Sequence, residues 1–333
     1  MKLLVTGGMG FIGSNFVRYI LSTGKEIELT NLDDISIGAN PVNLKDLKKD
    51  RRYKFIKGNI ADVKLVSRLI ENVDAVINFA AQTHVDRSIA NPQPFMESNV
   101  IGTYSILEAA RRSSPAAKIV HVSTDEIYGD IPEGSFKEDD RLKPSNPYAA
   151  TKSAADMFAL AYNRTYGLNV TVTRCTNNFG PYQHPEKLIP KTIIRAHLDL
   201  PIPVYGKGNQ VRDWIYVQDH CDALAKIIEK GVPGEIYNIS AGNEMPNLKV
   251  VEYILNLMEK TRSLIEFVDD RPGHDVRYSL DSTKIGTQLG WKPKHKFTEA
   301  LESTVRWYMN NGRWWKPLAT QKTLHPTPWK LKW

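Results

Sequence analysis

The sequence predicts an α/β protein: a Rossmann-type doubly wound parallel sheet followed by a smaller C-terminal substrate-binding domain. Three observations predict it. Short apolar runs of the kind that form buried parallel strands recur through the first half, with helical patterns between them. A glycine-rich run, Gly7-Gly8-Met9-Gly10-Phe11-Ile12-Gly13, stands directly between the first apolar run and the first helical one. After Arg174 the alternation loosens, and Pro and Gly become frequent from Gly180-Pro181 through Pro185, Pro190, Pro201, Pro203, Gly206 and Gly208. That is the loop chemistry of a smaller unit laid over a sheet. The division falls at residues 1–174 and 175–333, with some later segments expected to fold back onto the first unit.

The first strand is Lys2 to Thr6, short and apolar. The glycine run follows at once and leads into a helix through Phe16, Val17, Tyr19, Ile20 and Leu21. A tight turn without Cβ atoms lets the N–H groups of a helix N-terminus approach a pyrophosphate. The next strand, about Glu26 to Leu32, ends at Asp33, twenty residues after Gly13. An acid at that distance binds the hydroxyls of an adenosine ribose. Asp34 beside it, with no Arg just after, would repel a 2′-phosphate, so NAD is expected rather than NADP. Further strands are expected at Tyr53 to Ile56, Ala75 to Phe79, Lys118 to Val122 and Val170 to Arg174, and later helices at about Asn247 to Thr261 and Thr298 to Asn311.

The stretch from Ser123 to Lys152 carries the densest chemistry. Thr124, Asp125 and Glu126 fall at the carboxyl end of a strand, the edge where open α/β sheets bind ligands. Tyr148 and Lys152, four apart, share one face of the helix that begins near Tyr148, and an ammonium there would lower the phenol's pKa. With 14 Tyr in the chain, a Tyr followed four later by Lys arises by chance about once, and Tyr53 with Lys57 is a second instance. Position along the chain, after the glycine loop and the acid pair, is what distinguishes Tyr148 and Lys152.

Bulk properties exclude several classes. Hydrophobic content is 41% and charged content 24%, ordinary for a globular protein. No stretch approaches the roughly 20 apolar residues that span a bilayer, and the start lacks a cleavable signal pattern, so a cytoplasmic protein without a membrane partner is expected. Cys175, Cys221 and eight histidines form no close-spaced metal motif, and no metal is expected. The net charge is +7. The basic residues are spread among acids, however, and the densest cluster, Lys45 to Arg52, contains Asp46 and Asp50. An anionic small substrate is expected rather than nucleic acid.

With these residues placed, the chain resembles the extended short-chain dehydrogenase/reductase family, and more closely its nucleoside-diphosphoglucose 4,6-dehydratases. The resemblance runs through Thr6 to Gly13, Ala80 to Ser88, Asn99 with Gly102-Thr103, Ser123 to Gly129, Tyr148 with Lys152, and Asn177 to Gln183. It continues through Pro185 to Pro190, Gly206 to His220, Arg271 to Asp275 and Trp314 to Leu318.

The resemblance implies NAD as cofactor, held by Gly7, Gly10, Phe11, Ile12, Gly13, Asp33, Asn59, Ile60, Ala80, Ala81, Asn99, Tyr148 and Lys152. It implies that Tyr148 takes the sugar C4 hydroxyl proton with Thr124 bonded to the same hydroxyl. Lys152 then holds the nicotinamide ribose and keeps the phenol's pKa down. Asp125 protonates the departing C6 hydroxyl, and Glu126 removes the C5 proton. In the related 4-epimerases the positions matching Asp125 and Glu126 are not an acid pair. Arg212 and Arg271 are implied for the diphosphate, Asn247 near the phosphates, and Asn177, Glu186, Lys187 and Tyr205, with His84 and Arg87, for the substrate pocket. The implied substrate is a nucleotide sugar, dTDP-glucose first, on a route to a rhamnose-type deoxysugar. UDP-glucose is the alternative, since Gln82-Thr83 resembles that branch; a 4-epimerase and a non-catalytic NAD-binding protein are more distant ones. A homodimer is implied, paired through the Tyr148 helix and the helix beginning near Asn99.

Overall fold

The structure, a computed structural model, describes residues 1–24 and 26–333. Its centre is a seven-stranded sheet in the order Ile236–Ile239, Val170–Cys175, Lys118–Thr124, Ala75–Asn78, Lys2–Thr6, Glu28–Asp33, Tyr53–Lys57. Every pairing is parallel. Strand order reverses between Lys2–Thr6 and Ala75–Asn78, so a crevice opens at their carboxyl ends, where Gly7 and Ala80 follow. Ligands bind at such a switch point in doubly wound sheets.

The strands are apolar on both sides because both faces are covered. Leu3, Val5, Ile77, Val120 and Val122 point to one face and pack with Phe16, Val17 and Ile20 of the Phe11–Ser22 helix and Leu224 and Ile227 of the Val217–Lys230 helix. Leu4, Val76, Ile119 and Val172 point to the other and meet Val66, Ile106, Leu107 and Ala159. Removing one such side chain, Leu4 for instance, costs about 2–5 kcal/mol. The Tyr53–Lys57 strand closes one edge and is largely exposed, and its lysines at 54 and 57 discourage edge-to-edge pairing.

The remaining chain builds two small sheets. One holds Asn177–Phe179, Val211–Tyr216 and Glu244–Pro246, and the other pairs Ile202–Tyr205 with Ile265–Val268. Helices Leu188–His197, Asn247–Leu257 and Phe297–Asn310 enclose a core of Phe179, Ile193, Trp214, Ile254, Leu301, Trp314 and Trp315. The sequence reading places one helix out to Thr261. In the structure it ends at Leu257, and Glu259 takes a positive φ of 54° that stops the helix. The strand Ile236–Ile239 was not anticipated; it is short, flanked by Gly234 and Gly242, and sits alone in a loop-rich region. Among the described residues, no helix is long and apolar enough to cross a membrane, and no group of His, Cys, Asp or Glu could hold a metal ion.

Candidate active site

Two adjoining clefts meet at Glu126, Asn177, Asn178, Gln183, Glu186 and Lys187, which line both. The first runs along the switch point. Gly7 has a φ of 72°, and a Cβ there would lie 2.6 Å from the Ala80 nitrogen. A Cβ on Gly13 would lie 2.3 Å from the Gly7 carbonyl oxygen. Gly10 caps the Phe11–Ser22 helix with extended backbone and no side chain bonded over its end, which leaves the first N–H groups facing the cleft. Asp33 anchors the loop, with Oδ2 accepting from Met9 N at 2.8 Å and Oδ1 from Ile35 N at 2.7 Å.

The second half of the first cleft is made by the strand Lys118–Thr124 and the helix Pro147–Tyr166. Asn146 starts that helix by accepting from Ala149 N at 3.0 Å, with Pro147 at its first position, and Gly167 ends it in a left-handed turn; both are strong helix-boundary signals. Ser88 Oγ accepts from Tyr148 N at 3.1 Å. Tyr148 and Lys152 are thereby buried side by side. Beyond Thr124 the chain makes one tight turn, Asp125–Tyr128, which closes on Gly129 at φ 81°. A Cβ at Gly129 would meet the Lys143 carbonyl oxygen at 2.3 Å. That turn aims both carboxylates inward.

The electrostatics separate these groups. Burial pushes the Asp125 carboxyl well above the usual range, and neighbouring Glu126 pushes it further. Burial also raises Glu126, but Arg271, Lys187 and Arg212 pull it back. Asp125 Oδ1 accepts from Thr124 Oγ1 at 3.0 Å, while Asp125 Oδ2 and Glu126 Oε2 are buried without a partner. Orphaned buried oxygens cost free energy unless a ligand meets them. Lys152 Nζ donates to the Val122 carbonyl at 2.7 Å and lies 3.4 Å from His121 Nε2. Burial pulls Lys152 down to about 8. Behind it Asp156 pairs with Arg174 at 3.0 Å.

The Lys152 ammonium does not outweigh burial at the Tyr148 phenol. The phenol is pushed well above its ordinary value, because burial dominates and the Glu126 carboxylate adds to it, while Thr124 lowers it by a side-chain hydrogen bond.

The second cleft is lined by His84, Tyr205, Arg212, Asn247 and Arg271. Arg271 Nη1 and the Tyr205 hydroxyl donate to the two oxygens of Asp86, each at 2.9 Å. Arg271 Nε, Asn177 Oδ1 and Asn247 Oδ1 are buried without partners. Arg212 lies over the Tyr278 ring at 4.2 Å and donates to the carbonyls of Val211 and Asp275.

Most expected positions converge on these clefts; Asn99 and Arg87 do not line them. Asn99 is saturated: it accepts from Gln82 N at 2.8 Å and donates to Gln82 O at 3.1 Å and Thr151 Oγ1 at 2.9 Å. It is a strut between wall and helix. Arg87 stands behind the wall, paired with Glu186 at 3.3 Å and bonded to Gln82 Oε1 at 3.0 Å. Asn59 lines the cleft but already accepts from Ala61 N at 2.8 Å and donates to Asp34 at 3.3 Å. Sequence reasoning missed Asp86, Lys191, His274 and Tyr278. Asp86 and His274 lie inside stretches that carry the resemblance, but Tyr278, one of 14 tyrosines, has no local signal.

Residues 4–304 match the model of a family described as GDP-mannose 4,6 dehydratase. The chain belongs to that family. The match spans the glycine loop, the acid pair, Tyr148 with Lys152, and both arginines; the tail from residue 305 lies past it. A dTDP-glucose 4,6-dehydratase of Streptomyces niveus is 47% identical over 326 residues, covering 96% of each chain. A crystal structure of dTDP-glucose 4,6-dehydratase from Streptomyces venezuelae with NAD and dTDP bound is 46% identical, with a TM-score of 0.94 over 96% of this chain and 100% of that one. Family resemblance also reaches a Thermus thermophilus UDP-glucose 4-epimerase in complex with NAD, at 30% identity and a TM-score of 0.85 over 93% of this chain and 100% of that one.

Proposed function

We infer that the protein is an NAD-dependent 4,6-dehydratase acting on dTDP-glucose. The observation that carries this reading is the buried pair Asp125 and Glu126, each with an unpartnered oxygen, in the same cleft as Tyr148 and Lys152. An epimerase has no use for a second acid and base. The relatives agree in rank, since the dehydratases named above stand at 46–47% identity and the epimerase at 30%.

The cleft fits NAD. The glycine cradle leaves room where any Cβ at Gly7 or Gly13 would collide, the open helix start offers N–H donors, and Asp33 faces the same space. Bound there, NAD supplies a hydride acceptor for sugar C4 and a hydride donor for C6. Tyr148 Oη can receive the C4 hydroxyl proton only as the phenolate, which the positive charge of bound NAD and of the Lys152 ammonium would favour against the burial that raises its pKa, and Thr124 lines the same cleft beside it. Lys152 is a buried cation four residues on, able to turn from the Val122 carbonyl to a ribose hydroxyl. Once C4 is a ketone the C5–H is acidified. Glu126 takes that proton and Asp125 delivers one to the C6 hydroxyl, which leaves as water. The roles follow the electrostatics, because the carboxyl pushed up further is the one suited to be the acid. Arg271 and Arg212 offer guanidinium donors to the diphosphate, and Asn177, Asn247, Glu186, Lys187, His84 and Tyr205 complete the sugar-nucleotide pocket.

We further propose a homodimer located in the cytoplasm. Ile101, Tyr104, Met157 and Phe158 are exposed apolar side chains on the helical stretches Met96–Ile101, Gly102–Ser113 and Pro147–Tyr166, and the Tyr104 and Phe158 rings touch. Such a patch supports an isologous interface. The free, buried thiols of Cys175 and Cys221 suit a reducing compartment.

The test of function is mass spectrometry of the sugar nucleotides after incubation with dTDP-glucose and UDP-glucose together. The dTDP sugar is expected to lose one water without added cofactor. Loss from the UDP sugar alone would reassign the nucleotide, and UDP-galactose formation without water loss would overturn the dehydratase.

A further inference from the structure

The residues beyond the matched family segment hold part of the second cleft in place. The Pro328–Lys330 turn packs on the Val85–Ala90 helix, and Trp329 is buried edge-on against Tyr205, with ring centroids 4.8 Å apart at 78°. Tyr205 ends the Ile202–Tyr205 strand, and its hydroxyl donates to Asp86 Oδ2 at 2.9 Å. Asp86 Oδ1 takes Arg271 Nη1 at 2.9 Å. Arg271 lines the pocket with Nη1 held by Asp86 and its buried Nε without a partner.

The tail is itself pinned on both sides of the tryptophan. Lys330 Nζ pairs with Asp269 at 2.6 Å, two residues before Arg271. Lys191 Nζ donates to the His325 carbonyl at 3.2 Å, and Arg195 to that of Leu324 at 2.7 Å. Leu324 is buried in the core formed around Trp315. The Trp333 ring stacks over Arg87 at 5.6 Å, behind Glu186. A segment fastened this way is placed, not draped.

We propose that Trp329 is a positioning residue for the phosphate end of the substrate pocket, acting through Tyr205 and Asp86 on Arg271. Removing the ring frees the Tyr205 side chain to rotate. Asp86, buried and short of one donor, then draws the Arg271 guanidinium into a two-pronged pair, the arrangement a carboxylate and an arginine prefer. The guanidinium is thereby drawn off the cleft. The proposal rests on the nucleotide-sugar reading above.

The experiment compares wild type with Trp329→Ala, Trp329→Phe, Tyr205→Phe and the double variant Trp329→Ala/Tyr205→Phe. It measures dTDP binding by calorimetry and kcat and KM with dTDP-glucose. Trp329→Ala is expected to weaken dTDP binding and raise KM about tenfold, with kcat within about twofold. Trp329→Phe should restore wild-type KM. The double variant should bind no worse than Tyr205→Phe alone, because the tryptophan works through that phenol. Unchanged binding in Trp329→Ala, a fall in kcat in place of the KM change, or full additivity in the double variant would each overturn the proposal. If the alanine variant does not fold, Trp329→Leu keeps apolar bulk without a ring and is read in the same way. A wild type that dehydrates dTDP-glucose beside an unaffected Trp329→Ala removes only this role. A wild type inert toward both sugar nucleotides removes the function and this role together.

Discussion

At the scale of single residues, the site turns on two adjacent carboxyls held in different surroundings. Glu126 has three cations near it, Arg271, Lys187 and Arg212, whereas Asp125 has the Glu126 carboxylate beside it and only Arg212 and a Thr124 hydrogen bond to offset it. Glu126→Gln should leave C4 oxidation in place and stop elimination. Reduced cofactor absorbance near 340 nm would then accumulate under substrate while turnover falls by about 10²–10⁴-fold, the usual worth of a general base; turnover at the wild-type rate without accumulation would sink the role. Asp125 makes a different prediction, in stability. Its folded pKa lies above the unfolded value near 3.8, so the folded state keeps a proton that the unfolded chain gives up first. Its contribution is greatest below that unfolded value and is lost as pH rises toward the folded pKa. Asp125→Asn should therefore melt about 2 °C or more above wild type at neutral pH, with a flatter pH dependence, while losing activity. Equal melting curves at pH 5 and pH 8 relative to wild type would contradict this.

Secondary-structure elements show how much could be read in advance. The strand Lys2–Thr6, the glycine loop and the Asp33 strand end were legible because each is a local requirement: apolar strand, absent Cβ, acid at a set distance. The acid pair and Tyr148 with Lys152 were legible for the same reason, since the 123–129 turn and one helix face hold them. Asn99 and Arg87 stand off the clefts because their side chains turn toward Thr151 and Glu186, and no local pattern encodes which way a polar side chain faces. Tyr278 meets Arg212, and Trp329 meets Tyr205, across the fold, and sequence spacing carries no record of that. The loop gives the sharpest test at this scale. In Gly13→Ala the added Cβ would sit 2.3 Å from backbone at Gly7, and the loop must move. Purified Gly13→Ala should carry at least about 10-fold less bound NAD than wild type, measured by release on denaturation; normal occupancy would show that the loop yields cheaply.

For the whole molecule, the exposed ring of Phe158 beside Tyr104 gives the assembly prediction. Phe158→Lys places a charge in a patch that a second copy would have to bury, at a cost of several kcal/mol when unpaired. Light scattering should give twice the chain mass for wild type and the single mass for the variant; a monomeric wild type would end the dimer proposal. The sheet has a consequence of another kind, in the order of synthesis. Its Val170–Cys175 strand, buried along its whole length, is covered on one side only by Ile236–Ile239. Sixty residues, 176 to 235, separate the two. At about 5–20 residues per second on the ribosome, a nascent chain waits roughly 3–12 s with that ribbon bare. During that interval the growing protein offers its neighbours on the polysome an unpaired strand edge, open to pairing with another chain.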